Sequence, residues 1–416
     1  MYPARSFCGL AAALAVLIAA IASAADPAVE KLFRDARAKI LKNAGNVPRY
    51  TCVQNIARTQ YPPRVPGRQP SCQELIAARR RLGVPGNIAM RDRLRLDVAV
   101  VDGKEMFSWA GAGRFETDAL EKLVPGGVSG SGDFIGFMAS VFGGDAQSVT
   151  YRGLVNDQAQ FEYQVPEARS HYTYQSGPAS SGSEKITGYS GSFFLDPSDS
   201  ELMKLVVDTA PFPAAEPVCQ VEDTMDYQRI KIGSGDFVLP EVSAMDVIYR
   251  NGAEAANETR YSDCHEFTGE STIHFEDVDI NNSNPTAAVN GAIAPLPAKL
   301  HLRIGLAQPI NGETAAAGDP VIGVLLEDVI NKAAKDKTRA VVAHRNDRVY
   351  GRIVRFEQHV IPAARWIVAI KFDRIDRGGV QQPVNLVLAN TDPFFTFPER
   401  GNLVLDQTFR SDWETR

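Results

Sequence analysis

Alternating apolar and polar positions dominate this chain, and the longest stretch that shows them runs from Lys185 to Phe275. The alternation is clearest at Ile230–Ile232 and Val247–Tyr249, and Gly, Pro, Asn or Asp residues separate the alternating segments. A period of two places successive side chains on opposite faces, so each segment buries one face of a sheet and leaves the other in water. The pattern predicts a series of antiparallel strands.

A β-hairpin is predicted between Arg91 and Ala110. Apolar residues occupy every second position of its first strand: Leu94, Leu96, Val98 and Val100. Asp102–Gly103 supplies a two-residue turn with positive φ, and Lys104–Trp109 returns as the partner strand.

Helical periodicity is confined to the first third of the mature chain. Residues 26–44 are predicted as a helix that Asp26 caps, with Pro27 at its first position. Its apolar stripe consists of Val29, Leu32, Phe33, Ala36 and Ile40. Two shorter helices, Thr117–Leu123 and Phe134–Phe142, are expected to cover the open side of the sheet.

The order of these elements predicts an α+β fold that is mostly antiparallel β. Residues 26–276 are expected to form an N-terminal helix and a curved half-barrel sheet covered by short helices. A polar segment at 277–295 has no sustained period and is interpreted as a linker. Residues 296–416 are expected to form a second, small, all-β, barrel-like domain.

The N-terminus indicates the compartment. Arg5 precedes an almost wholly apolar run, and Ala22–Ser23–Ala24 is typical of a cleavage site, so residues 1–24 are predicted to be a signal peptide. An uncleaved membrane anchor is the alternative. The run is short and rich in Ala for a span of about 20 residues, which favours cleavage. The mature protein is therefore expected to be periplasmic or secreted, with no transmembrane segment.

Four cysteines remain after Cys8 is removed with the signal peptide, an even number that predicts two disulfides in an oxidising compartment. Closing a short loop costs less entropy than closing a long one. The expected pairs are therefore Cys52–Cys72 and Cys219–Cys264. A zinc site at Cys264, His265 and His274 is the alternative, although adjacent ligands do not have the usual zinc-ligand spacing.

Composition narrows the classes of function. With 44% hydrophobic and 23% charged residues among 416, the chain can bury a sizeable core. A net charge of -6 argues against general nucleic-acid binding, which normally requires a basic excess. The one dense basic run, Arg79–Arg81, is interpreted as the solvated face of a short helix.

Catalytic motifs are missing from the sequence. The six histidines share no spacing, and neither G-x-S-x-G nor H-E-x-x-H occurs. Cys264, His265 and Glu266 are adjacent on a predicted strand, where neighbouring side chains point to opposite faces and cannot form a proton relay. The Gly-rich run 125–136 lacks the spacing and the Lys of a phosphate-binding loop. No cofactor or metal is expected, and a hydrolase whose site is assembled by folding remains an alternative.

The element order, together with the segments YTCVQNIART, YSDC-x-x-F and STIHF, resembles the half-barrel of periplasmic lipoprotein-localisation factors and related secreted bacterial proteins. The segment from Leu296 to Leu306, with the later A-G-D-P-V and V-Y-G-R-I, resembles the small β-barrel of the channel-forming component of type IV secretion. This chain lacks the Pro-Lys-Gly turn of that barrel.

The first resemblance implies a cavity for an acyl chain or another apolar ligand. The aromatic and apolar residues available to line it are Trp109, Phe134, Phe137, Met138 and Phe142. The same residues also suit a filled core. The chain is thus expected to be a non-enzymatic binding module for a lipid or apolar small molecule, with a cell-envelope protein as a second partner. The alternative is a structural or interaction protein with a filled core.

Overall fold

The computed structural model describes residues 26–64, 67–68, 70–101, 104–112, 114–115, 120–124, 135–176, 183–267, 295–331, 340–399 and 401–416. The expected signal peptide and nearly all of the expected linker lie outside these ranges. Within them, no helix has both the length and the apolar character needed to cross a bilayer.

Antiparallel β-structure dominates the molecule, as the alternation predicts. The helices are α1 (Pro27–Asn46), α2 (Cys72–Leu82), α3 (Leu120–Leu123) and α4 (Gly136–Ser140), and a π-helical turn, Val141–Asp145, follows α4. The strands before the linker are β1 (Tyr50–Tyr61), β2 (Met90–Val101), β3 (Lys104–Trp109), β4 (Ser148–Val155), β5 (Gln158–Val165), β6 (Thr173–Ser176), β7 (Ser183–Ile186), β8 (Tyr189–Leu195), β9 (Leu202–Thr209), β10 (Val218–Ile232), β11 (Gly235–Tyr249) and β12 (Glu254–Glu266). Those after it are β13 (His301–Leu306), β14 (Ile310–Asn311), β15 (Pro320–Leu325), β16 (Val329–Asn331), β17 (Ala340–Ala343), β18 (Arg348–His359), β19 (Arg365–Arg377), β20 (Val380–Pro383), β21 (Leu386–Leu388), β22 (Phe395–Pro398), β23 (Val404–Leu405) and β24 (Arg410–Thr415). The α+β class dominated by antiparallel sheet is therefore confirmed.

The N-terminal part is organised as one sheet in the order β4–β5–β8–β9–β10–β11–β12–β1–β2–β3. The predicted first helix is confirmed, because the Asp26 carboxylate accepts a hydrogen bond from the Ala28 N–H and Pro27 opens α1. Its apolar stripe packs with α4 on the buried residues of β5, β8 and β9. One face of the sheet is thus covered by α1 and α4.

The C-terminal strands form a closed ladder. Strands β24, β13, β15, β18 and β19 pair in that order. The segment 380–388 closes the ring, because its first half (β20) pairs with β19 and its second half (β21) pairs with β24. A core that includes Leu302, Val349, Phe372 and Trp413 fills the interior.

The two parts of the molecule share strand β2. One edge of β2 pairs with β1 along its length, while the other edge pairs with β3 at one end and with β18 at the other. Between them, Arg95 N–H donates to the Ala317 carbonyl (2.7 Å) and Ala317 N–H donates to the Arg93 carbonyl (2.8 Å). The sheet therefore continues from one part into the other, a contact that the sequence did not predict.

Both predicted disulfide pairings are wrong. The structure pairs Cys52 with Cys264 and Cys72 with Cys219, at Cα–Cα distances of 4.1 and 5.4 Å. Strand β1 lies beside β12, so Cys52 faces the end of β12 although 212 residues separate the two cysteines. A loop roughly ten times longer costs only about 2 kcal/mol more to close, and strand pairing outweighs that difference.

Peptide mapping under non-reducing conditions is expected to show this connectivity. Digestion of the purified mature protein should release linked peptides that contain Cys52 with Cys264 and Cys72 with Cys219. Reduction should separate each linked pair, which serves as the internal control. Recovery of a Cys52–Cys72 or Cys219–Cys264 peptide as the main species would contradict the strand order given above.

Candidate functional site

A cavity of about 370 Å³ opens between the second half of α1 and the β10–β11 hairpin. Its apolar lining comes from four elements and consists of Ile40, Met138, Leu202, Phe237 and Val238. Polar and charged residues complete the wall: Lys39, Lys42, Asn43, Glu201, Arg229 and Asp236 among them. Concave, mostly apolar spaces with a few polar groups are the usual form of small-molecule sites, which begin at about 300 Å³.

Helix α1 is held over this cavity by apolar packing against the sheet and by a hydrogen bond from Arg37. Ala36 and Ile40 are buried against the sheet. The Arg37 guanidinium donates from Nε to the Phe142 carbonyl oxygen (2.7 Å), so it satisfies a carbonyl of the π-helical turn after α4. The helix is therefore held at both the sheet and the α4 segment.

Asn43 attaches the end of α1 to an unpaired strand edge. Strand β12 pairs with β11 only from Val242 onwards, so within the described residues no strand pairs with the backbone of Val238 on that side. The Asn43 carboxamide replaces that strand, because Nδ2 donates to the Val238 carbonyl (2.9 Å) and Oδ1 accepts from the Val238 N–H (3.0 Å). The cavity wall thus has its backbone hydrogen bonds satisfied by a side chain from the helix.

Five charged side chains surround the opening. Arg229 and Glu201 form an ion pair, and the Lys39 ammonium donates to the Asp199 carbonyl oxygen. In the ranges that the structure describes, Lys42 and Asp236 form no ion pair, although both line the cavity. The site therefore combines an apolar floor with an opening that carries unneutralised charge.

The residues expected to line a ligand cavity lie in separate places. Trp109 is buried in a cluster with β1, β2 and the Ala317 loop, whereas Met138 and Phe142 lie beneath α1. Of the five, Met138 is in the wall of the cavity described above, and Phe137 packs against Tyr172 and Tyr189. Phe134 lies outside the described residues. The structure does not bring the set together.

An aromatic cluster fills the space next to the cavity. Phe142 is 1% exposed, and its ring centroid lies 4.9 Å from that of Phe193, which stacks on Phe161 at 5.0 Å. Phe33 of α1 contacts all three rings. The alternative of a filled core therefore holds for Phe142, and the open space lies towards the C-terminal end of α1.

A Ser–Asp–His group near α4 does not have the geometry of a hydrolase. Ser140 Oγ donates to the Asp145 carboxylate (2.8 Å), and His171 Nε2 approaches the same carboxylate oxygen at 3.7 Å. In a catalytic triad the histidine lies between the nucleophile and the acid, whereas here the acid lies between the other two. Ser140 also contacts the Tyr189 hydroxyl, and burial with the nearby Asp145 charge raises the pKa of that hydroxyl.

The Cys264–His265–Glu266 segment also lacks a nucleophile, because Cys264 is bonded to Cys52. His265 Nε2 lies 3.0 Å from Thr51 Oγ1, and His265 Nδ1 lies 2.8 Å from the Asp263 carbonyl oxygen. His274 lies outside the described residues. Within the described ranges, no three His, Cys, Asp or Glu side chains come together in a way that could hold a metal ion.

Helix α2 crosses the other face of the sheet, and its basic run is not simply solvated. The Arg79 side chain is 18% exposed and pairs with Asp246 (2.5 Å) and Glu254 (3.2 Å), while Arg80 pairs with Asp208 (3.2 Å). The interpretation as a solvated face is wrong for Arg79. Its partners lie far away in sequence, so charge spacing along the helix could not reveal them.

Two of those carboxylates, Asp208 and Asp246, belong to a row across the sheet. Asp208, Glu222 and Asp246 are directly opposite one another on β9, β10 and β11. Desolvation and the neighbouring carboxylates raise the pKa of Glu222 above its ordinary value. The arginines of α2 offset this repulsion, and the Cys72–Cys219 disulfide ties the start of the helix to β10.

Sequence reasoning missed the residues that define the cavity opening: Lys42, Asn43, Arg229 and Asp236. One signal was present, because Asn43 follows Ile40 by three residues and so continues the apolar stripe of α1 with a polar side chain. Arg229 and Asp236 gave no signal, since exposed charges on a strand and at a turn are ordinary.

Comparison with known proteins adds little. No family model and no curated protein matches the chain. Among solved structures, it is similar to the crystal structure of the di-domain ARO/CYC StfQ from the steffimycin biosynthetic pathway, with a TM-score of 0.11 and 7% identity over 65% of this chain and 74% of that chain. A similarity this weak carries no argument about fold or function.

Proposed function

We propose that this chain is a non-enzymatic binding protein of the periplasm or the extracellular medium, and that it holds a small apolar or amphiphilic ligand beneath α1. The observation that carries the proposal is the 370 Å³ cavity, whose floor is apolar and whose opening is polar. Two disulfides and the leader-like N-terminus support the compartment. The sheet covered by α1 and α4 agrees with the resemblance to lipoprotein-localisation factors.

Binding of a neutral apolar fluorophore, N-phenyl-1-naphthylamine, tests this proposal. The mature protein should enhance and blue-shift its fluorescence with saturable binding. Asn46 lines the cavity and is exposed at the end of α1, so Asn46→Trp places an indole in the opening without disturbing the core. Affinity should fall at least about tenfold, which corresponds to about 1.4 kcal/mol.

Ala38→Trp is the matched control, since Ala38 is exposed on the same helix and is not part of the cavity wall. Its affinity should stay within about twofold of the unmodified protein, a difference of about 0.4 kcal/mol. No saturable binding by the unmodified protein, or equal losses in the two variants, would refute the proposal.

A structural or interaction protein is the second candidate, and one strand edge favours it. In the described part of the chain, β4 pairs only with β5. Three apolar side chains of this edge strand are exposed: Tyr151, Leu154 and Val155, at 38%, 62% and 43%. Exposed apolar edges are typical of protein contacts. Failure of the fluorophore to bind would favour this second function.

A further inference from the structure

The charges at the cavity opening are unequal. Lys39, Lys42 and Arg229 are positive, while Glu201 and Asp236 are negative. The Arg229–Glu201 ion pair removes one charge of each sign. Lys39 and Lys42 then remain against Asp236, so the opening carries an excess of positive charge on a chain whose net charge is -6.

The positions of the two lysines reinforce this excess. They are three residues apart on α1, so they lie on one side of the helix, beside the cavity. Lys39 is already directed to the Asp199 carbonyl oxygen. Lys42 is exposed and, within the described residues, has no ion-pair partner. The carboxylates Glu30 and Asp35 belong to the first half of α1, away from the opening.

An ammonium group beside an apolar space can bind the head of an amphiphile whose tail enters that space. A charge-assisted hydrogen bond stabilises a carboxylate or phosphate more than a hydroxyl. The Asp236 carboxylate would repel a bound anion and would attract an amine. The geometry points to an anionic amphiphile whose acidic group is held by Lys42 and whose apolar part lies on Ile40, Met138 and Leu202. This inference rests on the proposed function of the cavity.

Isothermal titration with three probes of equal chain length tests the inference: dodecanoate, dodecanol and dodecylamine, each below its aggregation concentration. Dodecanoate should bind the mature protein tightest. Lys42→Gln should weaken dodecanoate by about threefold to tenfold and leave dodecanol within about twofold. Asp236→Asn should act in the opposite sense, with tighter dodecanoate and weaker dodecylamine binding.

Lys31→Gln is the matched control, because Lys31 lies on the same helix, pairs with Asp35 and is not in the cavity wall. It should leave all three affinities unchanged. Dodecanol or dodecylamine binding as tightly as dodecanoate, or an equal effect of Lys42→Gln on all three, would overturn the inference while the cavity proposal stood. Failure of all three probes to bind would overturn both.

Discussion

Gly318→Ala is expected to weaken the contact between strand β2 and the closed ladder of C-terminal strands. Gly318 has a φ of +107°, and a β-carbon there would overlap the backbone oxygen of Arg95 and lie 3.2 Å from the Trp109 ring. Arg95 lies in β2, which cannot move freely because it pairs with β1. Overpacking of about 1–3 kcal/mol and backbone strain of about 1–3 kcal/mol should lower the free energy of unfolding by about 2–6 kcal/mol.

Gly401→Ala separates the two causes. Gly401 has a similar φ of +102°, but a β-carbon on this residue would have no atom within 4 Å of it. This control should show the strain alone, about 1–3 kcal/mol. Hydrogen exchange at the Arg95 and Ala317 amides should accelerate in the Gly318 variant only. Equal unfolding free energies in the two variants, or unchanged exchange at those amides, would contradict the close contact.

Arg58→Met is expected to cost about 3–5 kcal/mol of unfolding free energy, because it leaves the Asp92 carboxylate buried without its cation. The Arg58 and Asp92 side chains are 8% and 4% exposed, and Arg58 Nε lies 2.8 Å from Asp92 Oδ1. Glu357 of β18 lies directly opposite Asp92, and Arg355 pairs with Glu357 and also interacts electrostatically with Asp92. Denaturant unfolding at pH 7 measures the loss.

Arg260→Met is the surface control, since Arg260 pairs with Glu258 while 62% exposed and should contribute about 0–1 kcal/mol. The double variant Arg58→Met with Asp92→Leu should recover most of the stability, because it also removes the buried Asp92 carboxylate. Equal losses of unfolding free energy from Arg58→Met and Arg260→Met would show that the buried ion pair does not stabilise the contact between β2 and β18.

The contact between β2 and β18 also makes the free energy of unfolding depend on pH. Burial would raise the pKa of Glu357, but hydrogen bonds from Arg355 and His359 outweigh burial and hold the pKa below its ordinary value of 4.5. A lowered carboxylate pKa stabilises the fold above the ordinary value, and this contribution is lost as the pH falls through the lowered pKa. Denaturant unfolding at successive pH values should show this contribution at neutral pH and its loss at a pH below 4.5.

Local patterns were sufficient for the first helix and for the strands of the hairpin. The Asp26 cap, the Pro27 start and the apolar stripe predicted α1, and alternation around Leu94–Val100 predicted the hairpin strands. These signals work because a helix cap and the two periods depend on neighbours within a few residues. They also predicted the α+β class, since a series of strands after one helix leaves few arrangements.

Sequence patterns alone were therefore enough for the main helix, the hairpin strands, the fold class and the even set of four cysteines. Folding in three dimensions was needed to show which cysteines pair, that β18 joins β2, and that Asn43, Lys42 and Asp236 meet around a cavity while Trp109 lies elsewhere. The difference is one of range. Periodicity and capping act between near neighbours, whereas strand order brings together residues more than 100 positions apart, and loop entropy depends on that separation too weakly to select among the pairings.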